Sequence, residues 1–147
     1  MPYIRALHVN KYNYLKGRFN SDSFRNHQGG ISIIDFDCAV KASNSICNHL
    51  AKYYSHILSE PAFFCIFDFE EIVITYQQAN EAPIIISPSQ SDKGDECHYN
   101  IINFKDKLTD KFSKEKFKTP NLYVCCGDNY RALTSIEFSK LEEFECA

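Results

Sequence analysis

Short runs of aromatic and β-branched residues recur along this chain and constrain its fold more than any other sequence feature. Such residues favour the pleated, half-buried surface of a β-sheet. Turn-forming residues separate the runs, most clearly in the polar stretch 87–96. The sequence therefore predicts one sheet that is mostly antiparallel, with strands at residues 3–9, 31–34, 62–69, 72–76, 83–87, 98–104 and 122–126.

One long amphipathic helix is predicted over about residues 38–59. Asp35 or Asp37 can cap its start by accepting from free backbone amides, and Glu60-Pro61 ends it. Three- and four-residue steps between apolar residues align them on one helical face. The aligned residues are Ala39, Ala42, Ile46, Cys47, Leu50, Tyr54, Ile57 and Leu58.

Shorter helices are predicted near the end of the sequence. A lysine-rich piece lies between residues 104 and 120, and the capping box of Thr134 and Glu137 opens a final helix that reaches Phe144. A length of 147 residues suits one compact domain. We therefore expect a single α+β domain over residues 1–147, with one long helix on a mostly antiparallel sheet and shorter C-terminal helices.

The charge and hydropathy patterns exclude some partners. A net charge of −3 gives no basic footprint for nucleic acid, and acidic residues dilute the one lysine cluster at residues 105–118. Apolar runs fall short of the roughly 18 residues of a membrane span, and the start of the chain lacks the apolar core of a secretory signal. We expect neither nucleic acid nor a membrane as a partner.

Seven cysteines are present, without any C-x-x-C pair that would let two thiolates share one zinc ion, so no metal site is predicted. An odd number argues against a complete disulfide framework. Several of them lie in apolar runs, where a reduced thiol behaves as a small hydrophobe. The sequence therefore predicts reduced cysteines and a cytoplasmic location. The cysteines are Cys38, Cys47, Cys65, Cys97, Cys125, Cys126 and Cys146.

His8 and His98 are the candidate catalytic residues. Each lies at the end of a predicted strand beside a polar loop, and each is followed two residues later by an asparagine, Asn10 or Asn100. Two imidazoles facing one phosphate can serve as base and acid near neutral pH. This spacing resembles that of two-histidine phosphoesterases, although that family has a hydroxyl residue where this chain has asparagine. The alternative is that both histidines are hydrogen-bonded structural residues at strand edges.

A second constellation lies between residues 17 and 30 and predicts an anion-binding loop. Its guanidinium groups, hydroxyls and close backbone amides suit phosphate or carboxylate. A nucleotide or dinucleotide such as NAD is the expected ligand; the sequence has no motif for a resident cofactor, and we expect none. A solvated turn with Arg-Asp contacts is the alternative. The predicted anion-binding residues are Arg18, Ser21, Ser23 and Arg25.

Two further resemblances concern the same region. A sheet-based fold with a strand-end His or Arg resembles small ADP-ribosyltransferase-like toxins, but Glu70-Glu71 is the one acidic pair near mid-chain and suits a turn. The segment 8–35 resembles uncharacterised small bacterial proteins with G-R-x-x-S-x-x-F followed by I-S-x-x-D. That resemblance implies a bacterial or phage origin and a small stand-alone cytosolic protein, without an activity. Its residues here are Gly17, Arg18, Ser21, Phe24, Ile31, Ser32 and Asp35.

Two classes of function follow from these features. The first is a small enzyme for phosphates or nucleotides, with phosphodiester or ADP-ribosyl chemistry, in which Arg18 and Ser21 bind an anion and His8 or His98 transfers a proton. The second is a non-catalytic interaction module, such as an inhibitor or immunity-type partner of another protein. The enzyme requires its polar groups in one cleft, whereas the module requires an exposed apolar patch.

Overall fold

Seven strands form one antiparallel sheet in the computed structural model, which describes residues 1–8, 30–58, 60–89, 93–117 and 121–146 and the backbone of 12–13 and 18–19. Its order is β6-β7-β4-β1-β5-β8-β9, while β2 and β3 pair with each other. The predicted antiparallel sheet is confirmed. The strands are β1 (Pro2–Leu7), β2 (Tyr12–Asn13), β3 (Arg18–Phe19), β4 (Ile31–Asp35), β5 (Phe63–Asp68), β6 (Ile85–Pro88), β7 (His98–Ile102), β8 (Leu122–Cys126) and β9 (Asn129–Ala132).

Helices cover both faces of this sheet. Successive side chains of a strand point to opposite faces, so Ile4 of the central strand β1 packs with one set of helices and Leu7 with the other. Helices α1 and α2 lie on the Ile4 face, and α3 and α4 on the Leu7 face. The described helices are α1 (Phe36–Ser43), α2 (Ile46–Tyr54), α3 (Phe69–Tyr76), α4 (Asp106–Lys116) and α5 (Ser135–Ser139).

The prediction of one long helix over residues 38–59 is wrong, because α1 and α2 are separate helices. Asn44 ends α1 in the left-handed region, with φ of 71°. Ser45 then caps α2 by accepting from the backbone N–H of Asn48 at 3.0 Å. Short polar side chains compete with helical hydrogen bonds in this way, so the break falls at Asn44 and Ser45 although the apolar spacing continues across them. The predicted cap at Asp35 is confirmed, since its Oδ1 accepts from Cys38 N at 3.1 Å.

Residues 72–76, predicted as a strand, belong to helix α3. Glu70 and Glu71 occupy its first turn, where negative charge stabilises the helix dipole. Ile72 and Tyr76 are buried at a four-residue spacing, while Ile74 between them is 83% exposed. Burial of one helical face has overridden the β-propensity of the run.

The prediction of reduced cysteines is also wrong. Disulfides join Cys38 to Cys97, Cys47 to Cys125 and Cys126 to Cys146. These partners are separated by 59, 78 and 20 residues, so only the fold brings them together. Cys65 is a free, buried thiol, and burial raises its pKa to about 12. The argument from free thiols for a cytoplasmic location therefore no longer holds.

The C-terminal helices are close to their predicted positions. Thr134 and Glu137 form the expected capping box, with reciprocal hydrogen bonds of 3.0 and 3.1 Å. Helix α5 ends at Ser139, however, and a 3-10 turn over Leu141–Glu143 replaces the predicted continuation to Phe144. Among all the helices described here, none is both long and apolar enough to cross a membrane.

Candidate functional site

A polar strip crosses the sheet on the Ile4 face, where β4, β7 and β6 lie side by side. Asn100 on β7 is paired with Ser32 on β4 and with Ser87 on β6. Paired residues of antiparallel strands point to the same face, so these three side chains form one row. His98 lies on the same face, two residues before Asn100, and is paired with Ile34. The strip therefore joins a histidine to two hydroxyls and an amide.

Both ring nitrogens of His98 have partners in the strip. Nδ1 lies 2.6 Å from the carbonyl oxygen of Ser89, and a carbonyl only accepts, so Nδ1 carries the proton. Nε2 of the neutral ring then has its lone pair directed at the hydroxyl of Ser32, with which it is hydrogen-bonded. A hydroxyl paired with an imidazole whose other nitrogen is held by an acceptor is the arrangement of an activated nucleophile.

Ser32 is held in place from behind the strip by Arg5. The Arg5 guanidinium donates from Nη1 to the carbonyl oxygen of Ser32 at 2.8 Å. Burial lowers the pKa of this guanidinium. Ser32 itself is half-buried, whereas His98 is only 8% exposed. Ser32 is thus the more accessible residue of the pair.

His8, the other predicted catalytic histidine, is not beside His98. Continuing the β1–β4 register by four residues from the Ile4–Ile34 pair places His8 across from Gly30, whereas His98 pairs with Ile34. The two histidines share a face but are two strands and four residues apart, which corresponds to about 16 Å. They do not face one phosphate in this arrangement.

The predicted anion-binding residues lie largely outside the described part of the chain. Arg18 is described by its backbone alone, in β3, while Ser21, Ser23 and Arg25 lie outside the described residues. The segment that carries them connects β1 to β4 and therefore joins the sheet immediately before Ser32.

Gly30 fixes the point at which that segment meets the sheet. Its φ is 116°, and a Cβ added there would lie 2.5 Å from the carbonyl oxygen of Ile101 on β7. A side chain is excluded on both counts, since the backbone conformation and the close strand each require glycine. The strip and the end of the segment are consequently held against the same strand.

Ser32 and Ser87 were not predicted as site residues. Each lies in an isoleucine-rich strand, where a single serine gives no signal by itself. The strand register aligns them with Asn100, and this register cannot be read directly from the sequence. The sequence feature that could have indicated the strip was Asn100, two residues after His98.

A separate polar cluster lies beneath α1 and α2. His49, Asp95 and Cys97 are buried there, and one ligand-type atom from each lies within 4.8 Å of the others. Burial alone would raise the pKa of Asp95, but the His49 ring, the Tyr54 hydroxyl and the Cys97 amide outweigh burial and lower it. Asp95 is therefore a buried carboxylate with its negative charge retained.

A cavity of about 580 Å³ is lined by residues of α2, of the chain around Pro61, of β8 and of the C-terminal stretch 144–146. Leu50, Leu58 and Phe144 give it apolar walls, and Glu60 and Glu145 contribute carboxylates. Its lining includes no predicted site residue.

Comparisons with protein-family models, curated proteins and solved structures found no match. The family resemblance of residues 8–35 thus stays a prediction. The function has to be inferred from the geometry of the site.

Proposed function

We propose that the protein is a small enzyme that cleaves phosphodiester bonds in substrates of the nucleotide class. The observation that carries this proposal is the hydrogen-bonded series of Ser32, His98 and the Ser89 carbonyl. It supplies a hydroxyl nucleophile, a base with a defined tautomer and an acceptor that orients the base.

The reaction has two balanced halves. The Ser32 oxygen bonds to phosphorus, its proton passes to His98 Nε2, and the leaving oxygen departs with that proton. Water then attacks phosphorus and loses a proton to Nε2, and the bond from Ser32 to phosphorus breaks as Nε2 returns the proton to the serine. The Ser89 carbonyl stabilises the imidazolium that forms in each half.

Neighbouring groups support the choice of a phosphate substrate. Asn100 presents an amide beside Ser32, and Ser87 adds a second hydroxyl on the far side of Asn100. Arg18, Ser21, Ser23 and Arg25 belong to the segment that ends two residues before Ser32. In this proposal those residues bind the phosphate charge, which guanidinium groups recognise by bidentate hydrogen bonds.

The test is turnover of a chromogenic phosphodiester, cyclic nucleotides and dinucleotides including NAD by the wild type and two variants. Ser32→Ala and His98→Gln should each lower kcat by about 10²- to 10⁴-fold. The double variant should be little worse than either single one, because the two residues act as a unit. Circular dichroism would establish that each variant is folded.

Matched controls are the exposed residues His56 and Ser135. His56→Gln and Ser135→Ala change the same residue types away from the strip and should leave turnover unchanged. Undiminished turnover in Ser32→Ala and His98→Gln would contradict the proposal. So would the absence of both turnover and thermal stabilisation, since a ligand at 100 times its Kd stabilises by about 2.7 kcal/mol.

A non-catalytic binding module is the second candidate, and the cavity beside α2 favours it. Its apolar walls and its carboxylates, Glu60 and Glu145, suit a basic, apolar segment of a partner protein. Leu58→Lys should abolish partner binding and leave any turnover unchanged. Ser32→Ala should do the reverse, so the two variants distinguish the candidates.

The setting proposed for this function follows from the disulfides. Three bridges in one small domain are typical of an oxidising compartment. The expected cytoplasmic location is not confirmed, and an oxidising compartment is the better-supported setting. Mass spectrometry of the protein isolated from its source, with free thiols blocked during lysis, would test this. A mass showing six blocked cysteines in addition to Cys65 would contradict it.

A further inference from the structure

The buried cluster beneath α1 and α2 has the donor atoms of a zinc site. His49, from α2, and Asp95 and Cys97, from the turn before β7, place a nitrogen, an oxygen and a sulfur within 4.8 Å of one another. Cys38, from α1, is bonded to Cys97 and brings a second sulfur to the same place. These four side chains converge from three separate elements and share no residue with the polar strip.

The orientation of His49 is that of a metal ligand. Its Nδ1 lies 2.8 Å from the Ser43 hydroxyl, which leaves Nε2 facing the cluster. Nε2 is buried and lies 2.8 Å from Asp95 Oδ1, so the ring is directed at the carboxylate. A zinc ion bound by Nε2 and the carboxylate oxygen would replace this contact and hold the two atoms slightly farther apart.

Asp95 is held by further contacts of the kind that orient metal ligands. The Tyr54 hydroxyl donates to Oδ2 at 2.5 Å, and the backbone N–H of Cys97 donates to Oδ1 at 2.9 Å. Ser43 plays the same part for His49. Such outer hydrogen bonds fix the tautomer and the direction of ligands around zinc.

We propose that reduction of the Cys38–Cys97 disulfide converts this cluster into a tetrahedral zinc site formed by Cys38, Cys97, His49 and Asp95. A reductant supplies two electrons, the sulfur–sulfur bond breaks, and each sulfur becomes a thiol. Zinc then binds both sulfurs, and two thiol protons leave to solvent. A phosphine reductant balances the step by becoming its oxide with an oxygen atom from water.

The geometry requires only small movements. Zinc bonds of about 2.0–2.3 Å place tetrahedral donors about 3.3–3.8 Å apart, close to the present separations of up to 4.8 Å. The two cysteines have Cα atoms 5.5 Å apart, so rotation of the side chains suffices to separate the sulfurs. With four protein ligands, three of them buried, the site would be structural, because a catalytic zinc keeps an open position.

Metal content of the wild-type protein is the first test. The protein is incubated with one equivalent of zinc, with or without a phosphine reductant, and free zinc is removed by gel filtration. We expect one zinc per chain after reduction and none without it. Zinc bound equally well to the oxidised protein, or absent after reduction, would overturn the proposal.

X-ray absorption of the zinc-loaded wild type identifies the ligands without any variant. Two sulfur and two nitrogen or oxygen neighbours are expected. A shell of four sulfurs, or one without sulfur, would show that other cysteines or surface groups bind the ion and would overturn the assignment.

Variants give a third readout and a matched control. Tyr54→Phe removes one hydrogen bond to Asp95 and should weaken zinc binding about 10- to 100-fold. The double variant Cys126→Ala with Cys146→Ala removes as many thiols elsewhere and should bind zinc as the wild type does. Loss of binding in that control, with wild-type affinity in Tyr54→Phe, would place the zinc outside this cluster. Turnover of phosphodiesters does not enter these tests, so failure of this proposal and of the proposed function can be told apart.

Discussion

At the scale of single residues, the close approach of backbones decides which side chain is allowed. Gly30 adopts a φ of 116° and lies against the Ile101 carbonyl, where a Cβ would come within 2.5 Å. Gly127 also has a positive φ, of 67°, but a Cβ there would meet nothing within 4 Å. A side chain at Gly127 would therefore introduce backbone strain alone, whereas a side chain at Gly30 would introduce backbone strain and a steric clash.

Gly30→Ala should therefore destabilise the protein more than Gly127→Ala. Conformational strain alone is expected to cost about 1–2 kcal/mol in Gly127→Ala. Gly30→Ala adds a steric collision of about 1–3 kcal/mol. Chemical denaturation would measure both free energies of unfolding, and equal losses would contradict the role assigned to the Ile101 carbonyl.

Single residues also show where sequence reasoning stops. His98 was predicted as a site residue because a strand-end histidine beside a polar loop is visible in the sequence. Its partner Ser32 is 66 residues away and became apparent only through the pairing of β4 with β7. The prediction that pairs His98 with His8 assumed that both strand ends meet, and the register separates them.

At the scale of elements, local hydrogen bonds decide where helices begin and end. Helix α5 is stabilised at its start by the capping box, and Glu137 also binds Arg131 through two oxygen atoms, at 2.8 and 2.7 Å. Arg131 and the Thr134 backbone lower the pKa of Glu137 from its ordinary value of 4.5 to about 2.

This lowered pKa predicts a dependence of stability on pH. A carboxyl group whose pKa is lower in the folded state stabilises that state above its unfolded pKa, and the contribution disappears as pH falls through the folded pKa. The free energy of unfolding should thus decrease as the pH falls from 4.5 to about 2. Glu137→Gln should flatten that part of the stability curve, as measured by thermal unfolding across this range. Glu142→Gln, an exposed neighbour, is the control, and an equal flattening there would contradict the assignment to Glu137.

Elements were predicted well where residue propensity or a side-chain cap decides the local structure. The strands near residues 31–34 and 122–126 and the capping box of α5 are examples, because β-propensity and side-chain caps act over a few residues. The long helix was predicted wrongly because an apolar stripe continues across Asn44 and Ser45, which break the helix locally. The strand predicted for residues 72–76 was wrong because tertiary burial, which the sequence does not show, favours a helix there.

At the scale of the whole molecule, the disulfides connect parts that are distant in sequence. Pairings cannot be derived from spacing, since they depend on where α1, α2 and the strands pack. Loop-closure entropy estimates about 4 kcal/mol for each of the two bridges that enclose 59 and 78 residues, and about 3 kcal/mol for the bridge that encloses 20.

When the bridges are replaced one at a time with alanine pairs, the loss in the free energy of unfolding should follow that order. Removal of Cys126–Cys146 should reduce the free energy of unfolding least. Removal of Cys47–Cys125 should reduce it most, because both of its cysteines are buried and leave a cavity as well. Urea unfolding of the three double variants would measure this, and a reversed order would show that the bridges act mainly through strain in the folded state.

The central position of β1 has a consequence for proteolysis. Three strands lie on each side of β1, yet the first cysteine in the chain is Cys38. A cut between Cys47 and Cys97 leaves both fragments joined by two bridges. A cut between residues 8 and 31 instead leaves the middle strand attached by hydrogen bonds and packing alone. The strand that joins the two halves of the sheet would then behave as a bound peptide, exchangeable with a free copy of the same sequence.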